Sequence, residues 1–154
     1  MGQKVCMLSS CGGHFMELMQ LFPAIEGYDY YIVTEKNIAS EDTLKKHKHY
    51  CLLQQERSGI AFYFRFAWNI ILSFLYFIKE RPTTIITTGA GATYPTCLIA
   101  HLFKRRIIYI ESFAKLNAPS VTGKMVYRFA DYFFVQWPEM REIYPKGIYK
   151  GSVY

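Results

Sequence analysis

The 154-residue chain has four cysteines, Cys6, Cys11, Cys51 and Cys97, and no Cys-x-x-Cys pair among them. That scatter excludes the common zinc and dithiol motifs. Cys6, Cys11 and His14 sit close together, but no second ligand pair follows, so neither a metal nor a cysteine nucleophile is expected. No secretory leader is expected either, because the first apolar run breaks at Gly12 and Gly13. A reduced, cytoplasmic setting is therefore expected. The opening "MGQKVC" places Cys6 where a myristoylation signal requires Ser or Thr, which removes the lipid-anchor reading. There is no GxGxxG fingerprint, and "VTGK" at 121–124 lacks the first glycine of a P-loop. Repeats, linkers and low-complexity tracts are also absent, and one domain spanning 1–154 is expected at this length. Acidic residues are few, 12 against 18 Lys and Arg, giving a formal charge of +6. Such a balance favours an anionic partner. The basic residues do not follow an RRM, KH or helix-turn-helix pattern, so a lipid surface or a phosphorylated compound is expected in preference to nucleic acid.

Apolar residues are plentiful: 51% of the chain is hydrophobic and 18% aromatic, enough for a core and for some surface that meets more than water. Strand-like runs alternate with helix-like ones. "KVCMLS", "YDYYIVT", "HYCLLQ", "TTIITT", "RIIYIE" and "YFFVQ" read as strands, and "FMELMQLF", a long run from Ile60, "YPTCLIAHLF" and "GKMVYRFA" as the helices between them. Strands that are apolar on both faces belong to parallel sheets. The expected fold is therefore α/β, a Rossmann-like, doubly wound, mostly parallel sheet with helices on both faces. The end, "YPKGIYKGSVY", reads as a last strand or a docking tail.

In such sheets ligands bind beyond the carboxyl ends of the strands. Three loops there are unusual: "SSCGGH" at 9–14, "TTGAGATYP" at 87–95 and "ESFAKLNAPSVTGK" at 111–124. In the first, glycines permit close backbone approach, and the following helix offers N–H groups to an anion. His14 would lie in the first helical turn, where the dipole disfavours imidazolium and keeps the ring a competent base. A plain tight turn with an incidental histidine explains the same residues. The second loop repeats the device with Gly89 and Gly91, and tight turning alone accounts for it equally well. In the third, Glu111 ends a hydrophobic strand. It either caps the Ser112 and Phe113 N–H groups or orients His14 or a sugar hydroxyl.

Ile60 to Ile78, "IAFYFRFAWNIILSFLYFI", is 19 residues long, the length of a membrane span. Arg65, Asn69 and Ser73 recur every four residues and set a polar stripe on one face, which argues against spanning. Two readings remain. Either the helix packs on the sheet with its stripe outward, or Phe62, Phe66, Trp68 and Tyr76 enter a headgroup layer with help from Lys79, Arg81 and Lys104 to Arg106.

With these loops in place the chain resembles the amino-terminal half of a GT-B glycosyltransferase. "SSCGGHFMEL", "TTGAGATYP" and "YIESFAKLNAPSVTGKMVYRFADYFFVQWPE" are similar to the small membrane-associated subunits of two-part UDP-sugar transferases. These are the bacterial capsule and exopolysaccharide proteins of PssD or CpsF type and the anchor subunit of the eukaryotic dolichol-linked GlcNAc transferase. The first loop and "IES" also resemble MurG. The resemblance implies an acceptor-binding subunit, peripheral on the cytoplasmic membrane face, that takes a lipid-diphosphate glycan. The UDP-sugar would sit on a separate partner, no cofactor would be held by this chain, and the chain alone would be inactive. His14 and Glu111 would be the catalytic residues, Gly12, Gly13, Gly89 and Gly91 would cradle the diphosphate, and Ser10, Thr93, Ser112 and Lys124 would add polar contacts. Cys11, Thr88 and Ala90 depart from the family pattern in the first two loops. A non-catalytic scaffold that activates such a partner is the competing reading.

Overall fold

The computed structural model describes residues 2–55 and 59–154. Its seven strands are β1 (Lys4–Ser9), β2 (Asp29–Glu35), β3 (His49–Leu52), β4 (Thr84–Gly89), β5 (Arg106–Ile110), β6 (Tyr132–Val135) and β7 (Ile148–Tyr149). They form one sheet in the order β3-β2-β1-β4-β5-β6-β7, and every pairing is parallel. The six predicted strands are all present, and the terminal segment supplies the edge strand β7.

Alternation along β1 shows why the sheet needs cover on both sides. Val5 and Met7 pack with Phe15 and Leu18 of α1 (Gly13–Met19) and with Leu44 of α2 (Glu41–Leu44). Cys6 and Leu8 point the other way, into a larger core with Phe77 of α3 (Ala61–Glu80), Cys97 and Ala100 of α4 (Tyr94–Leu102), Val126 of α5 (Val121–Val126) and Met140 of α6 (Met140–Ile143). Burying both faces makes each strand a continuous apolar run. The chain winds outward through β2 and β3, then returns to lay β4 beside β1. That reversal opens the sheet between the first two glycine loops.

The helix α3 overturns one expectation. Its polar stripe faces inward: Asn69 and Ser73 are fully buried, whereas Tyr63, Phe64, Ile71 and Leu75 are exposed. The reason lies in β3, an edge strand whose outer backbone groups need partners. Just past its end, the Leu53 N–H donates to Asn69 Oδ1 at 2.8 Å, and Asn69 Nδ2 donates to the Leu53 carbonyl at 2.9 Å. One turn on, Thr96 Oγ1 donates to Ser73 Oγ at 2.9 Å, and Tyr76 donates to the Cys51 carbonyl at 3.1 Å. The last turn brings Glu80 to Lys4 and Lys48, both at 2.8 Å, and to the Tyr50 hydroxyl. Polar groups thus fasten α3 to the sheet, and its apolar residues are left outside.

Candidate functional site

His14 sits at the start of α1, directly above the end of β4, and the two glycine loops are tied together there. His14 Nδ1 lies 2.9 Å from the Thr88 carbonyl, and the Thr88 hydroxyl donates back to the His14 carbonyl at 2.7 Å. A carbonyl only accepts, so Nδ1 carries the proton and Nε2 is the free ring nitrogen. Beside this pair opens a cleft of about 540 Å³. Ser10, His14, Glu35, Gln55, Ala90, Gly91 and Tyr94 line it, with Phe62 and Phe66 of α3 on one side and Val121, Thr122 and Met125 of α5 on another.

The second loop needs glycine for two separate reasons. Gly89 has φ +92, and a Cβ there would sit on the Tyr109 hydroxyl. Its neighbour Ala90 adopts φ +80 with ψ 161 without being glycine, a strained backbone at the cleft's edge. Gly12, at φ +70, starts α1.

Several sequence-predicted residues are placed elsewhere. Glu111 is 1% exposed and does not reach His14. Its carboxylate accepts from the Ser112 N–H at 3.0 Å, the Ser120 N–H at 3.2 Å, the Ser120 hydroxyl at 3.1 Å and the Tyr144 hydroxyl at 2.9 Å. The capping alternative therefore describes Glu111, which organises the third loop from inside. Gly123 packs against it, since a Cβ there would collide with Glu111 Oε2. Ser112 is buried and donates to Glu17 Oε1 at 3.2 Å, and Thr93 donates to the Ala90 carbonyl at 2.8 Å, so both are held within the fold. Gly12, Gly13 and Lys124 are exposed, and none of them lines the cleft. Phe62 and Phe66 are half-buried cleft residues rather than outward ones, whereas Trp68, Lys79 and Arg81 are exposed.

Two carboxylates were missed. Glu35 ends β2 and lines the cleft, with Oε1 accepting from the Gln55 N–H at 2.8 Å and Oε2 from the Cys11 N–H at 3.4 Å. It stitches the first loop to the segment after β3. Its position at a strand's carboxyl end is the signal that singled out Glu111, and it applied equally to Glu35. Glu17, buried on α1, accepts from Ser112, the Phe113 N–H and Gln136. Burial raises its pKa above the ordinary carboxylate value, and nearby His14 and these hydrogen bonds pull it back in part. Burial also raises the Cys11 thiol, so this first-loop cysteine is not an activated nucleophile. Among the described residues no cluster of three or more His, Cys, Asp or Glu is arranged to hold a metal.

This wholly parallel Rossmann-like sheet with a cleft at its switch point resembles in fold the amino-terminal half of a GT-B enzyme. MurG of Acinetobacter baumannii superposes with a TM-score of 0.72 at 16% identity, over 89% of this chain and 42% of that one. UDP-GlcNAc 2-epimerase of Neisseria meningitidis, bound to UDP-GlcNAc, gives 0.74 at 11% identity, over 98% and 47%. The chain spans less than half the length of these two proteins, and the likeness is one of fold. Residues 5–153 match the family of oligosaccharide biosynthesis proteins described as Alg14 like, and the chain belongs to that family. The UDP-N-acetylglucosamine transferase subunit ALG14 of Rattus norvegicus is 29% identical over 175 residues, covering 96% of this chain and 81% of that protein. Its namesake in Schizosaccharomyces pombe is 27% identical over 167 residues, covering 92% and 79%.

Proposed function

We propose that this chain is the acceptor-binding, membrane-peripheral subunit of a two-part glycosyltransferase that moves a sugar from a UDP-sugar to a lipid-diphosphate acceptor. The names of its relatives favour N-acetylglucosamine as the sugar, and the description of its family favours oligosaccharide biosynthesis as the setting. The observation that carries the reading is the histidine held by Thr88 with one ring nitrogen free, in a cleft whose other wall is the aromatic end of α3. A diphosphate on a lipid carrier needs polar backbone on one side and an apolar path on the other. Ser10 and the Gly91 turn offer the first, and Phe62 and Phe66 offer the second.

In this reaction the acceptor hydroxyl attacks the anomeric carbon. As that C–O bond forms, the bond to the UDP oxygen breaks, its electron pair leaves with UDP, and the hydroxyl proton passes to His14 Nε2. The donor-binding partner holds the UDP-sugar and stabilises the departing diphosphate. The outer face of α3 lies on the cytoplasmic membrane surface. That helix is 20 residues long and apolar enough to span, but the stripe that fastens it to the sheet keeps it flat against the domain.

The test is sugar transfer by the co-purified pair to a short-chain lipid-diphosphate acceptor. His14→Ala is expected to lower kcat by about 100-fold or more. A rate within about threefold of wild type, under roughly 1 kcal/mol, would refute the role. The scaffold reading gains from one observation, that Glu111 is locked inside the fold and leaves this chain few groups in the cleft. Full transfer by the partner alone to a soluble acceptor would establish that reading instead.

A further inference from the structure

At the opposite end of the sheet from the cleft, where β4 and β5 begin, lies a second recess of about 600 Å³. Its cations come from the turn that joins α4 to β5, Lys104, Arg105 and Arg106 in succession. The turn is a left-handed helix closure: Lys104 has φ +53, and the Lys104 and Arg105 N–H groups return to the His101 and Ala100 carbonyls at 2.9 and 2.8 Å. Closing the helix this way sets three consecutive basic residues around one concavity. His101 and Phe129, with ring centroids 4.7 Å apart, form its wall.

Among the described residues these charges have no ion-pair partner: the ion pairs use Lys4, Lys45 and Lys48, and none reaches Lys104, Arg105 or Arg106. Asp131 is the one acid lining the recess, and its Oδ2 already accepts from the Ile107 N–H at 2.7 Å. Arg105 Nε is buried with no hydrogen-bond partner. A buried guanidinium N–H with no partner among the described residues is a costly arrangement that a bound acceptor would relieve. The negative end of the α4 dipole offsets the repulsion among these cations only in part, since that effect is confined to the last turn. Guanidinium and ammonium groups in such a cluster suit a compact, multiply charged oxyanion, which each can meet with charge-assisted hydrogen bonds.

We propose that this recess binds a phosphoryl group, separately from the acceptor diphosphate in the cleft. A lipid headgroup and a free phosphate share that chemistry. The headgroup source rests on the reading that α3 lies on the membrane. Phe77 of α3 touches Phe103, just past the end of α4, at 5.1 Å between ring centroids, so the recess opens near the carboxyl end of α3 while the cleft opens near its amino end. A 20-residue helix is about 30 Å long. The two phosphoryl sites then flank one membrane-facing helix, and the second fixes how the domain is turned on the surface.

Calorimetric titration of the full chain with its donor-binding partner tests this, with inorganic pyrophosphate as the soluble probe, short-chain phosphatidic acid as the lipid probe and sulfate for comparison. Saturable binding of a phosphoryl probe is expected. The double variant Lys104→Gln, Arg106→Gln should weaken it by about tenfold or more. Arg106→Lys, which keeps the charge, should stay within threefold of wild type, and Lys45→Gln, Lys46→Gln, exposed and outside the recess, within twofold. Stronger binding of phosphatidic acid than of pyrophosphate assigns a headgroup, and the reverse order assigns a free phosphate. The proposal is overturned if neither probe saturates, if sulfate binds equally, or if the Lys104, Arg106 variant binds like wild type. Leu75→Glu separates the two readings. Lost liposome flotation with pyrophosphate binding intact supports both, and a wild-type chain that binds pyrophosphate but does not float sinks the membrane reading alone.

Discussion

Asn69 and Leu75 lie six residues apart on α3 and make opposite claims about which way the helix faces. Composition alone would assign the polar residue to solvent and the leucine to the core, and the structure reverses them: Asn69 is 0% exposed and Leu75 is 55% exposed. Consider Asn69→Leu. The substitution makes the helix more apolar, yet it strips the Leu53 N–H and carbonyl of their partners at 2.8 and 2.9 Å. Each of these partly buried backbone groups left unpaired costs about 1–3 kcal/mol, and the added apolar burial returns about 1 kcal/mol. The expected net loss is about 3 kcal/mol. With a urea m-value of about 2 kcal/mol/M, the unfolding midpoint should fall by about 1.5 M at unchanged slope. Leu75→Glu places a charge on the long apolar helix α3, yet it should shift stability by less than about 0.5 kcal/mol, because the side chain stays in water. Equilibrium unfolding followed by far-UV circular dichroism measures both. If Asn69→Leu is neutral or stabilising while Leu75→Glu unfolds the protein, the helix is rolled the other way and the outward apolar face does not exist.

Other outcomes follow from the same structure. Burial alone would raise the Glu80 carboxyl, but hydrogen bonds from Lys4, Lys48 and Tyr50 outweigh it and bring the pKa down to about 2. A depressed carboxylate lends stability that is complete above its unfolded value of 4.5 and is lost as pH falls through its folded value. Unfolding free energy should therefore drop by up to about 3 kcal/mol between pH 4.5 and 2, and Glu80→Gln should flatten that slope. Ala90→Gly relieves a strained φ of +80 and should stabilise by about 1 kcal/mol, read as a rise in Tm. Gly89→Ala, by contrast, drives a methyl into Tyr109 and should cost about 2 kcal/mol or more.

Local chemistry made much of the protein legible in its sequence. Six apolar runs announced parallel strands, because a strand buried on both faces has no polar side to show, and glycines at loop positions marked turns that side chains resist. Residue type and position also placed His14 at the sheet's active edge. Which charged groups share that edge was decided by folding. Glu35 and Glu111 both end strands, yet one lines the cleft and the other is enclosed by Ser120 and Tyr144, partners 9 and 33 residues away in sequence. The facing of α3 was likewise beyond its own pattern. A period of four residues defines a stripe but not what it meets, and here it meets the unpaired backbone beyond an edge strand, which demands polar partners. Sequence periodicity determined that α3 has two unlike faces, and only the tertiary position of β3 decided that the polar one would be buried.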